Sequence, residues 1–298
     1  MINKLLIVGC GLIGSSILKK IYKKKIAKKI FVFEKSKKHQ RILKRLKLKF
    51  ELIKKIDKKI SECDFIVICA PLSEYKKIFF ACNRYSKKGV LITDVGSAKK
   101  NTITKINKIK RKDIEWISSH PIAGSEVSGP LNGNENLFVN KWSVIIKQKN
   151  SQNKEMKKIL KFWKLLGSKT VIMDADQHDK IFAITSHLPH LIAYNLILTA
   201  TNFKISNKDN VLRFSAGGLR DFSRIAASNE IMWRDIFFNN KSNMLKVIDL
   251  FIKNLKIFKQ DIKSNRKNLE TKLKNLKKVR QRIVLLKQDT SKPDFGRI

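Results

Sequence analysis

The sequence predicts an α/β fold, a doubly wound parallel sheet in the first half followed by an all-helical second half. Three observations predict it. Short apolar runs alternate with segments of helical spacing from residue 4 to residue 173. Some of these runs are apolar throughout, as in Phe65-Ile66-Val67-Ile68-Cys69-Ala70-Pro71, the pattern of a central parallel strand covered on both faces. After Asp174 strand-like alternation stops and helical spacing continues almost to the end. The expected division is 1–174 and 175–298.

The elements follow in order. Lys4-Leu5-Leu6-Ile7-Val8 reads as the first strand, and Ser15 to Lys25 has helical spacing. Ile30 to Glu34 is the second strand, after which Ser36 can cap a basic helix. Phe50 to Ile53 is the third, and the run from Phe65 the fourth. Val90 to Gly96 repeats the buried pattern as a fifth, and Glu115 to His120 gives a sixth. Trp142–Lys147 and Lys169–Met173 bracket a helix and are expected to extend the same sheet. From Met244, Ile248, Leu255, Ile262, Leu269, Leu276 and Ile283 recur every seven residues, with Phe251 and Phe258 in a second row that Asn265 and Lys272 interrupt. One long amphipathic helix is expected, packed on its own domain or against a second subunit. Asp289 to Ile298 reads as a frayed tail.

Composition narrows the function classes. The 298 residues carry 65 Lys and Arg against 24 Asp and Glu, a net charge of +41. Such a charge suggests nucleic acid, yet 53 of the cations are Lys and 12 are Arg, whereas phosphate forks and base edges favour Arg. The Lys residues are dispersed, and their abundance alongside Ile, Asn and Phe is what an AT-rich coding sequence produces. With 43% hydrophobic residues the chain has material for a packed core. No leader and no 18-residue apolar stretch are read, so a cytoplasmic protein without nucleic-acid or membrane partners is expected. Cys10, Cys63, Cys69 and Cys82 form no CxxC pair and read as buried thiols.

Two gaps in the Lys background are informative. Residues 113–140 contain no Lys or Arg, where an even spread would place about six. Between Ile181 and Asn240 the only Lys are Lys204 and Lys208.

The chemistry begins at Gly9-Cys10-Gly11-Leu12-Ile13-Gly14, which follows a strand and opens a helix, the pattern of a Rossmann-type dinucleotide site. Gly9 permits the tight turn, Gly11 lets backbone approach a pyrophosphate, and Gly14 lets helix and strand pack closely. Glu34, 20 residues beyond Gly14, can accept the ribose hydroxyls of NAD and would repel a 2′-phosphate. Lys35, Lys37 and Lys38 beside it leave NADP open as a second cofactor. Ala70 and Pro71 end the fourth strand and Asp94 the fifth, at the carboxyl rim where such cofactors bind.

At the same rim, the first Lys-free window supplies Ser119-His120-Pro121-Ile122-Ala123-Gly124-Ser125-Glu126, just downstream of Asp94-Val95-Gly96-Ser97. A His there can take a hydroxyl proton as hydride leaves the same carbon, with a Ser hydroxyl orienting its ring. The second window supplies Ser186-His187-Leu188-Pro189-His190, then a run from Ala216-Gly217-Gly218 through Arg220, Asp221 and Arg224 to Trp233-Arg234-Asp235. His187 and His190 share a helical face, but no third ligand at familiar spacing accompanies them and no metal is expected. Arg220 and Arg224, four apart, suit an anion. Their alternative is pairing with Asp221 or Asp235.

These motifs, in this order and over nearly the whole chain, resemble the prephenate/arogenate dehydrogenases of tyrosine biosynthesis. The resemblance implies a nicotinamide-binding domain followed by an all-helical dimerisation domain that intertwines two subunits. It implies NAD-dependent oxidative decarboxylation of a small anionic substrate, prephenate or arogenate, with His120 bonding the ring hydroxyl and Ser97 positioning that His and the cofactor. Arg224 would hold the ring carboxylate. His187, His190, Arg220 and Trp233 would line the pocket with Ser119 and Gly217, Trp233 in its own or the partner's site. Two other classes compete: a β-hydroxyacid-type NAD(P) dehydrogenase, which would show a catalytic Lys on a post-sheet helix, and a basic nucleic-acid-binding protein with a vestigial nucleotide fold.

Overall fold

The computed structural model describes residues 1–148, 153–203 and 212–286. The predicted tail from Asp289 lies outside them. Six strands form one parallel sheet in the order β3-β2-β1-β4-β5-β6. They are β1 (Ile2–Val8), β2 (Ala27–Phe33), β3 (Glu51–Ile53), β4 (Phe65–Ile68), β5 (Leu91–Asp94) and β6 (Glu115–Trp116). The chain winds outward from β1 to β3, then returns to build β4 to β6 on the other side, the doubly wound order with its switch point between β1 and β4.

Alternation sets the two cores. Leu5 and Ile7 of β1 join Phe65 and Val67 of β4 on one face, with Ile17, Leu18 and Ile21 of α1 (Leu12–Lys24). Leu6 and Val8 join Ile66 and Ile68 on the other, against Ile78, Phe79 and Cys82 of α3 (Tyr75–Tyr85). Successive side chains of a strand point to opposite faces, so continuous apolar runs are what a sheet covered on both sides requires. Ser36 caps α2 (Lys37–Arg45), its hydroxyl accepting the His39 N–H at 3.3 Å. Burial pushes the Cys63 and Cys82 thiols up to about 12, as expected of thiols that serve packing.

The expected sixth strand, Glu115 to His120, is two strands. β6 stays in the large sheet, and β7 (Ser119–Pro121) leaves it to pair antiparallel with β8 (Trp142–Ile146), which pairs parallel with β9 (Lys169–Met173). The second expectation, that β8 and β9 extend the large sheet, is thereby corrected: with β7 they form a separate three-stranded sheet. Side chains cause the departure. Lys99, at the end of the loop before α4 (Lys100–Asn107), sends its ammonium to the Ser119 carbonyl (2.6 Å) and the Ser118 hydroxyl (2.9 Å), substituting for ladder partners. α5 (Asn153–Leu165) covers the junction, with Trp163 Nε1 donating to Ser119 Oγ at 2.9 Å.

Helices alone follow β9. Asp174 caps α6 (Ala175–Phe182) through the N–H groups of Asp176 and Gln177, and a π-type turn, Ala183–His187, leads into α7 (Leu188–Asn202). Then come α8 (Gly217–Ala226), α9 (Glu230–Asn239), α10 (Lys241–Lys263) and α11 (Leu269–Leu285). The single long helix expected from Met244 is broken between α10 and α11, where Asn265 takes a left-handed φ of 48°. Buried Asp261 secures the corner, pairing with Arg266 at 3.4 Å and with Lys272. Leu255, Ile262, Leu276 and Ile283 of the heptad row stay exposed on the subunit, while Ile248 and Leu269 are half-buried.

Candidate active site

The carboxyl ends of β1, β4, β5 and β6 share one rim. At β1, Gly9 has φ +86° and a Cβ there would lie 2.8 Å from the Cys69 carbonyl oxygen; a Cβ on Gly14 would collide with the Gly9 carbonyl. Gly11 differs, since a Cβ on it meets nothing within 4 Å. The space above Gly11 is therefore open, and α1 begins there without a side-chain cap. The first-turn N–H groups of Leu12, Ile13 and Gly14 have no acceptor within the helix and face that opening. Glu34 ties the loop down, its carboxylate accepting the Cys10 N–H at 2.7 Å and the Ser36 N–H at 2.8 Å. This cradle fits a dinucleotide pyrophosphate, with lone pairs left on Glu34 for ribose hydroxyls.

His120, on β7, is buried, and its Nδ1 lies 2.8 Å from Nε2 of His178 on α6. His178 Nδ1 in turn lies 2.8 Å from Asp179 Oδ1. The Phe182 ring packs against both imidazoles, with centroids 4.9 Å and 4.5 Å away. Burial, reinforced by His178 and then by the Lys99 cation, holds His120 well below the usual imidazole range. His120 is thus a neutral imidazole at neutral pH, able to accept a proton.

Asp179 also joins the two halves of the chain. Its carboxylate accepts the main-chain N–H groups of Lys99 (2.9 Å) and Lys100 (2.8 Å) at the start of α4. Asn240 donates to the Asp179 carbonyl at 2.8 Å and lies 3.1 Å from His187 Nδ1. Two further docking points lie on the same rim. Ser73, just past Ala70 and Pro71, donates its N–H to Asp235 of α9 at 2.8 Å. Arg224 of α8 reaches Glu126, in the loop after β7, at 3.2 Å.

The predicted residues divide accordingly. His120, Arg224, His190 and Trp233 are brought to the sheet rim or to the helices docked on it. Arg224 is partly exposed and pairs with Asp221 at 3.5 Å as its spacing suggested, and with Glu126. His190 stacks on Trp233 of its own subunit with centroids 3.7 Å apart, and donates from Nδ1 to the Ser186 carbonyl, leaving Nε2 as a lone pair. Trp233 Nε1 is buried without a hydrogen-bond partner. Arg220 and Gly217 are exposed at the start of α8.

Two of the predicted residues, Ser119 and Asp94, are held by several contacts within the protein. Ser119 is fully buried, its hydroxyl engaged by Thr93 Oγ1 (2.8 Å), the Asp94 carbonyl (2.6 Å) and Trp163, so it faces the sheet junction. Asp94 is buried, its Oδ2 accepting from Lys99 (2.7 Å), Tyr75 (3.0 Å) and the Gly96 N–H (3.0 Å) and its Oδ1 from Trp116 (3.0 Å). His187 is buried with its Nδ1 3.1 Å from Asn240, and its Nε2, like Trp233 Nε1, has no hydrogen-bond partner, so both remain available to a ligand. Ser97 is half-buried in the turn after β5, and the partner of His120 Nδ1 is His178. His178, Asp179 and Lys99 were missed: an adjacent His-Asp pair opening a helix was the available signal, but Lys180 kept it outside the Lys-free window.

Comparison with known proteins accords with this geometry. Residues 17–172 match the family model for the nucleotide-binding domain of prephenate dehydrogenase, and residues 174–278 match that for its dimerization domain. The chain is 32% identical over 260 residues to the cyclohexadienyl dehydrogenase of Zymomonas mobilis, covering 87% of this chain and 88% of that protein. It is 32% identical over 268 residues to the prephenate dehydrogenase of Lactococcus lactis, covering 87% and 72%. Among solved structures, prephenate dehydrogenase from A. aeolicus, in complex with hydroxyphenyl propionate and NAD+, superposes with a TM-score of 0.87 at 29% identity over 95% of this chain and 99% of that one.

Proposed function

Because the chain belongs to the prephenate dehydrogenase family, we propose that it oxidatively decarboxylates a cyclohexadienyl acid, prephenate or arogenate, with NAD in tyrosine biosynthesis. The observation that carries the reading is a buried His120 on the strand that leaves the nucleotide sheet, with an arginine-bearing helix bonded to the loop after it.

Gly9, Gly11, Gly14, the first turn of α1 and Glu34 hold the cofactor in this reading. NAD+, when bound, supplies the hydride acceptor. His120 Nε2 takes the ring hydroxyl proton as the C–O bond becomes a carbonyl. Arg224 grips a substrate carboxylate, exchanging its contacts with Glu126 and Asp221 for a charge-assisted one. Loss of CO2 from the opposite ring carbon leaves its electron pair to complete the aromatic ring, and the protein has only to align the parts and exclude water.

The active species is a cytoplasmic homodimer joined through the helical half. The dimerization-domain match supports this, as do the apolar residues that α10 and α11 leave uncovered, with Leu255 57% and Leu276 53% exposed. Ala175–Asn202 is also long and apolar enough for a bilayer, but His178 and Asp179 within it bond the nucleotide half, and its exposed apolar side chains, Ile184, Leu196 and Leu198 among them, suit a subunit interface.

The test is absorbance of the reduced cofactor with prephenate and arogenate, each under NAD and NADP. Turnover with NAD and at least one acid is expected; no turnover in all four combinations ends the proposal.

A further inference from the structure

The bonds around His120 form an ordered series whose directions are fixed at one end. Asp179 Oδ1 and Oδ2 accept the main-chain N–H groups of Lys99 and Lys100, so this carboxylate serves as an acceptor at the start of α4. His178 Nδ1 lies 2.8 Å from the same Oδ1 and must therefore carry the hydrogen. Burial keeps His178 neutral, so its Nε2 holds a lone pair. That lone pair faces His120 Nδ1 at 2.8 Å, and two lone pairs cannot face each other. His120 Nδ1 must donate, which leaves the lone pair of this second neutral ring on Nε2.

We propose that His178 and Asp179 are positioning residues that fix the tautomer of His120 and so aim its basic nitrogen at the substrate. The inference rests on the reading of His120 as the proton acceptor, and it adds what makes that nitrogen available. In the opposite tautomer Nε2 would carry a hydrogen and Nδ1 the lone pair, and no proton could be taken from a hydroxyl lying at Nε2. Once Nε2 has accepted a proton, the imidazolium still donates from Nδ1 to His178, whose own N–H faces the Asp179 carboxylate. The new charge is thereby met by a ring already oriented toward an anion.

Other groups around the pair do not supply this orientation. Lys99, from the loop before α4, and His187, from the π-type turn, both oppose protonation of His120, and Phe182 of α6 contributes only a ring face. Lys99 and Asp94 act on His178 with opposite signs.

The direct measurement is long-range 1H–15N correlation NMR of the full-length protein with 15N-labelled histidine, in which five imidazoles are distinguishable. The expected result is hydrogen on Nδ1 and a bare Nε2 in both His120 and His178; hydrogen on Nε2 of His120 overturns the proposal whatever the substrate proves to be. Kinetics give a second measurement. His178→Gln, which keeps an acceptor oxygen near the place of Nε2, should retain kcat to within about tenfold, and His178→Leu should lose about 10²–10³-fold, with KM for acid and NAD changed less than about threefold in both. Equal losses in the two variants would assign His178 to packing. Absence of wild-type turnover would strike the family reading and leave the tautomer result standing on its own.

Discussion

Arg224 Nη1 lies 3.2 Å from Glu126 Oε1, which ties the helical half to the loop that follows the strand of His120. The guanidinium is partly exposed and shared with Asp221, so it is held ready without being saturated. Arg224→Ala should raise KM for the acid by about 10–100-fold, the loss expected of one charge-assisted contact, with kcat changed far less. Steady-state kinetics decide it, and an unchanged KM would mean that the carboxylate is held elsewhere.

His120→Asn keeps a polar group of similar size but no basic nitrogen. We expect kcat to drop by about 10²–10⁴-fold while substrate affinity, read by fluorescence titration, stays close to wild type. Near-normal turnover would remove His120 from the chemistry.

The glycines of the nucleotide loop should separate folding from binding. Gly11→Ala adds a methyl group where nothing lies within 4 Å, so Tm should hold while KM for NAD rises at least about tenfold. Gly9→Ala meets the Cys69 carbonyl at a φ of +86° and should lower Tm. A Gly11→Ala enzyme with unchanged KM for NAD would show that the open space is not where the pyrophosphate sits.

Lys99 is fully buried, and three of its contacts hold the point where β7 leaves the large sheet. Lys99→Met removes the cation and strands the buried Asp94 carboxylate, which should cost about 3–5 kcal/mol. Urea unfolding measures this; a loss below about 1 kcal/mol would mean that the junction is held by Ser119 and Trp163 alone.

Stability should fall in mild acid. Burial holds His120, His178 and His187 below the usual imidazole range, so below pH 6.5 the unfolded chain binds more protons than the native one and stability rises with pH. For His187, pushed down from 6.5 to about 4, the loss accumulates between those two values and amounts to about 3 kcal/mol. Urea midpoints that stay constant from about pH 7 to about pH 5 would refute it.

Much of the nucleotide half was legible because its signals are local. A continuous apolar run needs two covering layers, and a glycine turn opening a helix needs no distant partner to be recognised. The break after Trp116 was not legible, since an apolar run does not say which strand it will pair with, and the cause is an ammonium from a residue about twenty positions upstream. Lys is almost always solvated, and three acceptors, one of them the Asp94 carboxylate, make the burial of Lys99 tolerable. His178 was overlooked for a related reason: its partner is 58 residues away in sequence. The heptad row was found, but its interruption at Asn265 is a matter of backbone conformation that periodicity does not record.

The joint between the two sheets has a consequence for how such an enzyme can vary. Ile117 still donates its N–H to Ile92 of the large sheet (3.0 Å), and Ser118 already accepts from Ile146 of the small one (2.9 Å). A two-residue joint therefore separates the platform that carries the glycine turn from the platform that carries His120. Ile117 and Ser118 are both buried at this joint, and Lys99 and Trp163 clamp it, so a substitution there acts on both platforms at once.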